Sequence, residues 1–242
     1  MQRHTYGDPD DRDLLVVLGW GNRPEHDPVD WLLSQLAADW HVHAVVVPEN
    51  GTDFERDYRA PLTEINEAVD PAATLAHSLG CLALAHVPGD DSRVYASPFW
   101  GTNDDGLVGA LLPLVARLPV ERRVIPGETD PDQLGALKPA DETGAAERGI
   151  SPAWLRAVRG AQATLPPFRE GSVVYCSLRD TVVGVRAVGD HAPADRIRLY
   201  DGGHEFFASA SRERTLDRVR ADLRAVADGR TPVNSRHGGD GA

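Results

Sequence analysis

The sequence predicts an α/β protein: a mostly parallel sheet of about six strands, helices on both faces and a helical cap insertion. Three observations predict this class. The strand-like segments are almost continuously apolar, as a sheet covered on both faces requires. They alternate with segments of helical character, which is typical of βαβ units. The alternation stops at Trp100 and resumes after Pro167, which indicates an insertion.

The alternation is clearest over the first hundred residues. The run "LLVVLGW" is long enough for a buried strand, and the helix after it begins at Asp27 and Pro28, residue types that favour a helix start. A later helix is interrupted at Pro61. The predicted elements are, in order, a strand at 14–20, a helix at 27–40, a strand at 41–49, a helix at 53–69, a strand at 72–78, a helix at 79–87 and a strand at 93–99.

The second half contains the insertion and the end of the sheet. Helices are predicted at 104–118 and 151–165 within the insertion, and strands at 172–178 and 196–202 with a helix at 208–227 after it. These elements divide the chain into a polar N-terminal tail at 1–13, a domain at 14–228 with a cap or lid at 102–168, and a disordered C-terminal tail at 229–242.

The charge is strongly negative and unusual in its composition. The chain carries 37 acidic and 25 basic residues, a net charge of −12, and Lys138 is the only lysine beside 24 arginines. Nucleic acids and anionic membranes should repel such a protein. The surplus of 25 Asp over 12 Glu favours an origin in a high-salt cytosol. A GC-rich genome is the alternative, since it also replaces lysine with arginine.

The sequence shows no feature of membrane insertion or export. No apolar run approaches the roughly 20 residues that span a bilayer, and the first residues resemble no signal peptide. We therefore expect a cytoplasmic protein. Cys81 and Cys176 both lie in apolar segments, which predicts buried free thiols. No pair of the nine histidines has a convincing metal-ligand spacing, and no metal is expected.

The stretch "AHSLG" joins a predicted strand to a predicted helix. Its spacing of small residue, any residue, serine, any residue, small residue is that of a nucleophile elbow. Ser78 would occupy a strained turn, and Ala76 and Gly80 must be small for strand and helix to approach each other. His77, its neighbour, is expected to pack on the other side of the strand. A structural turn serine is the alternative interpretation.

A serine nucleophile needs a base, and the base needs an acid to orient it. His204 follows a late strand in "DGGHEFF", which places it at the carboxyl edge of the sheet, where ligands bind in such folds. Asp180 directly follows the strand before it and is the candidate acid. Asp104 or Asp105 could serve if the acid lies one strand earlier, and Asp201 is expected to shape the His204 loop.

An oxyanion intermediate would need two backbone N–H donors. Leu79, the residue after the serine, offers one. Trp20 offers the other, because Gly19 and Gly21 on either side allow the backbone of the loop after the first strand to turn its N–H inward. A plain glycine-rich turn is the alternative.

Together these residues resemble the α/β-hydrolase fold enzymes over about residues 14–228. The resemblance rests on the order of four features: the loop Gly19-Trp20-Gly21, the elbow around Ser78, Asp180 and His204. The chain departs from the family in having Ala76 where glycine is usual and Leu18 where many members have histidine. It also leaves no room for the family's first two strands, so six strands are expected.

The resemblance implies hydrolysis of an ester, thioester or amide without a cofactor. Ser78 would be the nucleophile, His204 the general base and acid, Asp180 its orienting acid, and the Trp20 and Leu79 amides the oxyanion hole. The cap would supply an apolar acyl pocket with Trp100 and Trp154, for a small or medium carboxylic ester. A non-catalytic binding protein and an acyltransferase with the same three residues stay open, and the oligomeric state is undetermined.

Overall fold

A computed structural model describes residues 1–101, 118, 120–125, 130–143 and 148–232 of the chain. Their centre is a seven-stranded sheet of order β1-β3-β2-β4-β5-β6-β7, in which only the β1–β3 pair is antiparallel. The strands are β1 Gln2–Tyr6, β2 Asp13–Val17, β3 His41–Val46, β4 Ala73–His77, β5 Val94–Ala96, β6 Val173–Cys176 and β7 Ile197–Leu199. The mostly parallel α/β class is confirmed.

The seventh strand lies where the sequence predicts a polar tail. That prediction is wrong for Gln2–Tyr6, which pairs along its whole length with β3 and closes one edge of the sheet. Four of its five side chains are exposed, so the segment lacks the apolar alternation by which a strand is recognised in a sequence. Backbone pairing with β3 is what forms it. Asp13, also assigned to the tail, begins β2.

The helices cover both faces, as expected, because each buried strand alternates its side chains between them. Leu14 and Val16 of β2 belong to one buried cluster, and Leu15 and Val17 belong to the other. The helices are α1 Asp27–Leu36, α2 Ala60–Val69, α3 Leu79–Ala85, α4 Pro131–Leu134, α5 Pro152–Ala163, α6 Val185–His191 and α7 Arg212–Ala227. Helices α1 and α7 pack on the first cluster, and α2, α3, α5 and α6 pack on the second.

A π-helical turn, Glu55–Arg59, leads into α2 at the point where the sequence predicts a break. Pro61 causes no interruption there, because it stands in the first turn of α2, where a missing N–H is tolerated. Cys81 and Cys176 are buried free thiols, as predicted. Among the described residues, no helix is both long and apolar enough to cross a membrane.

The described part of the insertion contributes α4, α5 and a short 3₁₀ helix, Ala140–Thr143. Helix α5 buries Trp154, Leu155 and Val158 in the core against the sheet. The predicted helix at 104–118 lies, except for its last residue, outside the described part, as do residues 233–242 of the predicted C-terminal tail. The extent of the cap therefore stays a prediction.

The acidic surface predicts a dependence of stability on salt. Repulsion among carboxylates extends over a Debye length of about 30 Å at 0.01 M salt but about 3 Å at 1 M. We expect the melting temperature to rise from low to molar KCl. Because some salts also strengthen hydrophobic burial, the comparison is a variant with exposed Asp10, Asp190 and Asp217 changed to Asn. The melting temperature of this variant should rise clearly less with salt than that of the wild type. An equal rise would show that salt does not act through the acidic surface.

Candidate active site

The turn between β4 and α3 holds Ser78 in a backbone conformation rare for a residue with a side chain, with φ 52° and ψ −118°. The start of α3 lies against the end of β2. A Cβ atom on Gly80 would lie 2.5 Å from the Val17 carbonyl oxygen and 2.7 Å from that of Leu18, so only glycine fits. The sequence argument for a small residue two places after the serine therefore has a direct cause in the structure.

Three predicted side chains meet at the carboxyl edge of the sheet. Nε2 of His204 lies 2.9 Å from Oγ of Ser78, and Nδ1 of His204 lies 2.8 Å from Oδ2 of Asp180. All three residues are buried. Each follows the carboxyl end of a different strand, β4, β6 or β7, and parallel strands bring those ends to one edge.

Asp180 is held as an ionised acceptor. Its Oδ1 accepts hydrogen bonds from the amides of Val182 at 2.9 Å and Val183 at 3.1 Å. Burial by itself would raise the pKa of Asp180, but His204 and these amides outweigh burial and lower that pKa below its ordinary value. An ionised Asp180 keeps the proton of neutral His204 on Nδ1. The Nε2 lone pair then faces the Ser78 hydroxyl, as a general base requires.

Of the other candidate acids, only Asp201 lies in the part of the chain that the structure describes. Asp201 is exposed and forms an ion pair with Arg179 at 3.2 Å. Asp104 and Asp105 lie outside the described residues. The structure therefore brings Asp180, and not Asp201, to the His204 ring.

The loop that carries His204 is fastened from several sides. The Tyr200 hydroxyl lies 2.7 Å from the Gly203 carbonyl and 2.9 Å from the His204 carbonyl. On the cap side, the His204 amide donates to the Gln133 carbonyl at 3.0 Å, and the Glu205 amide donates to the Leu134 carbonyl at 2.7 Å. Sequence analysis missed these contacts, because they connect segments that are distant in the chain.

The two residues expected to supply N–H donors are both close to Ser78. Leu79 directly follows it as the first residue of α3, and Trp20 lines the same cavity as Ser78. The backbone before Trp20 packs tightly against the His77 ring, since a Cβ on Gly19 would lie 2.5 Å from Nδ1 of His77. The Trp20 indole donates to the Glu49 carbonyl at 2.7 Å, which holds this loop against the segment that follows β3.

A cavity of about 140 Å³ opens over Ser78 and His204. Trp154 is part of its wall. Trp100 does not line this cavity, contrary to expectation; it is buried against Tyr95 and His191 in the core. The described residues that line the cavity are Trp20, Gly21, Asn22, His77, Ser78, Phe99, Leu134, Lys138, Glu142, Trp154, Val182, His204 and Glu205.

One wall of the cavity is a buried polar chain that sequence analysis missed. Asn22 Nδ2 donates to Glu205 Oε1 at 2.8 Å, so its Oδ1 accepts from His77 Nδ1 at 3.1 Å. Lys138 Nζ lies 3.1 Å from Glu205 Oε2 and 4.0 Å from Glu142 Oε2. Burial, together with His204, lowers the pKa of His77 well below its ordinary value, so His77 is neutral.

Lys138 is the residue of this wall that stands out in the sequence. It is the one lysine among 25 basic residues, and its side chain is 2% exposed. A lysine ammonium is a compact point charge, whereas the arginine fork is larger and planar. A narrow buried site between two glutamates accounts for lysine here in a chain that otherwise uses arginine.

Comparison with known proteins identifies the fold. No family model and no curated protein matches the sequence. Among solved structures, monoglyceride lipase from Saccharomyces cerevisiae, a soluble variant with a substrate analog, superposes with a TM-score of 0.68 at 15% identity, over 94% of this chain and 91% of that chain. The chain has the α/β-hydrolase fold.

Two further structures agree. A monoacylglycerol lipase from Paleococcus ferrophilus has a TM-score of 0.64 at 18% identity, and the match covers 94% of this chain and 98% of that one. An alpha/beta hydrolase fold protein from Burkholderia ambifaria has a TM-score of 0.54 at 14% identity, over 89% and 93% of the two chains. These superpositions establish the α/β-hydrolase fold. Because the identities are so low, they say nothing about the activity, which must be argued from the site.

The buried pair on the cavity wall predicts a large effect on stability. Lys138→Met would leave the Glu205 carboxylate buried without its cation, which should lower the free energy of unfolding by about 3–5 kcal/mol. Urea denaturation measures this change. The matched control is the double variant Lys138→Met with Glu205→Gln, which removes both charges and should recover much of the loss. Equal instability of the single and double variants would contradict the argument.

Proposed function

We propose that this protein is a serine hydrolase that cleaves a small or medium carboxylic ester through an acyl-enzyme on Ser78. The observation that carries the proposal is the continuous contact from Ser78 through His204 to Asp180, with both distances within hydrogen-bond range. The names of the lipases with similar structures support the same class of substrate.

In the first step the Ser78 oxygen attacks the ester carbonyl carbon while its proton passes to Nε2 of His204. The charge that develops on the carbonyl oxygen would be stabilised by the amides of Trp20 and Leu79. The tetrahedral intermediate then breaks its bond to the alkoxide, which leaves as the alcohol with the proton from His204. The acyl group remains bonded to Ser78.

In the second step water takes the place of the alcohol. His204 removes a proton from the water as its oxygen attacks the acyl carbonyl, and it returns that proton to the Ser78 oxygen as the acid departs. Asp180 holds the ring in position and stabilises the imidazolium that forms in both steps. Its lowered pKa keeps it ionised well into the acidic range.

The cavity supports a small substrate. Its volume of about 140 Å³ is below the roughly 300–1,000 Å³ typical of pockets for drug-sized ligands. Trp20, Phe99 and Trp154 form an apolar part of the lining, suited to a short acyl chain. The polar wall at Lys138 would face the other side of the ester.

A fluorophosphonate probe tests whether Ser78 is activated, which separates a hydrolase from a binding protein. We expect stoichiometric labelling of the wild type and none of Ser78→Ala. Asp180→Asn should lower kcat for an ester by about 10⁴-fold, because the ring loses its correct tautomer. Ser92→Ala, at the opposite end of the sheet, is the matched control and should react normally. Labelling that persists in Ser78→Ala would contradict the assignment.

Substrate size is tested with p-nitrophenyl esters of increasing acyl length. We expect kcat/KM to be highest for short acyl chains and to fall once the chain exceeds the apolar part of the cavity. Adding an alcohol as a competing acceptor, and measuring the new ester against free acid, separates hydrolysis from acyl transfer. A maximum at long acyl chains would show that the cavity does not limit the substrate.

A further inference from the structure

A second cluster of reactive side chains lies at the opposite edge of the sheet from Ser78. Oδ1 of Asp13 lies 2.8 Å from Nδ1 of His41 and 2.6 Å from Nε2 of His43. The two imidazole rings are 4.4 Å apart between their centres. One carboxylate and two imidazole nitrogens therefore point at one place, at the amino ends of β2 and β3.

The parallel register of these two strands creates the cluster. His41 and His43 are two residues apart on β3, so their side chains share one face of the sheet. Asp13 is the direct partner of His41 on β2 and lies on that same face. The spacing of the histidines by itself was not convincing as a metal site, because the third group comes from another strand 28 residues away.

We propose that Asp13, His41 and His43 bind a divalent transition-metal ion, with Zn²⁺ as the representative. Their ligand atoms all lie within 4.8 Å of one another. An ion at the usual distance of about 2.0–2.2 Å from nitrogen and carboxylate oxygen fits between them after small side-chain movements. Two imidazoles select a transition metal over Mg²⁺ or Ca²⁺, which prefer oxygen ligands.

Exposure leaves room for the remaining ligand. The Asp13 side chain is 37% exposed, against 19% for His41 and 9% for His43, so water can reach the ion from the aspartate side. Three protein ligands and one water complete a tetrahedral site.

Metal binding rearranges protons on the imidazoles. Each neutral imidazole must present a lone pair to the ion, so the proton that it now directs at Asp13 moves to its other ring nitrogen. For His43 that nitrogen is Nδ1, which is buried and has no hydrogen-bond partner among the described residues. An unsatisfied donor there should weaken the affinity about 10- to 100-fold relative to a fully supported site.

The ion would connect β2 to β3 in the folded protein only, because the register that assembles the ligands is lost on unfolding. Zn²⁺ should therefore raise the melting temperature. The site is independent of catalysis, since Ser78, Asp180 and His204 lie at the carboxyl ends of the strands.

Isothermal titration of chelator-treated protein with Zn²⁺ tests the proposal. We expect one saturable site per chain, and a rise in melting temperature at saturation. Asp13→Asn and His41→Gln should each weaken binding by more than about 100-fold and remove the rise in melting temperature. Co²⁺ bound to the wild type should show the strong visible absorption of a tetrahedral ion, and neither variant should show it.

The matched control is His4→Gln, which removes an exposed histidine from neighbouring β1 and should bind Zn²⁺ like the wild type. Melting temperatures without metal verify that each variant folds. Absence of saturable binding to the wild type would overturn the proposal. So would binding that is unchanged in Asp13→Asn and His41→Gln, or that is lost only when His204 is changed to Ala.

Discussion

The close approach of α3 to β2 is the constraint on which the site depends. At Gly80 the first turn of the helix lies so near the Val17 and Leu18 carbonyl oxygens that no side-chain carbon fits between them. This approach forces the chain to turn sharply at Ser78, which adopts a positive φ. The turn directs the Ser78 hydroxyl toward His204 at the carboxyl edge of the sheet, and Leu79 follows as the first residue of α3. The surrounding packing must hold this strained conformation.

The orientation of the His204 ring depends on electrostatics as much as on geometry. Asp180 and Glu205 are both buried near His204, yet they act differently because their partners differ. Asp180 accepts from two backbone amides and the ring, so its charge is available to orient His204. Glu205 is compensated by Lys138 and Asn22, and its charge forms part of the cavity wall. One lysine thus compensates the charge of a second carboxylate that lines the same cavity as His204.

The two edges of the sheet have different chemistry for one topological reason. Parallel strands collect their carboxyl ends, followed by loops, at one edge, and their amino ends at the other. The loops at the carboxyl edge bring Ser78, Asp180 and His204 together from the ends of three separate strands. At the amino edge the ladder itself sets Asp13 beside His41, without any loop. The site around Ser78 therefore depends on loops, whereas the cluster of Asp13 and His41 depends only on the register of two strands.

The sequence by itself determined the alternation of buried strands and helices and the order of Ser78, Asp180 and His204, because hydrophobic period and turn residues are local properties. It could not reveal β1, whose polar side chains show no apolar face, or the core position of Trp100. Only the tertiary structure decided which side chains meet: Asp180 at the ring, Lys138 between two glutamates, and Asp13 beside two histidines. These contacts depend on strand register and on packing between distant segments, which no local pattern of residues encodes.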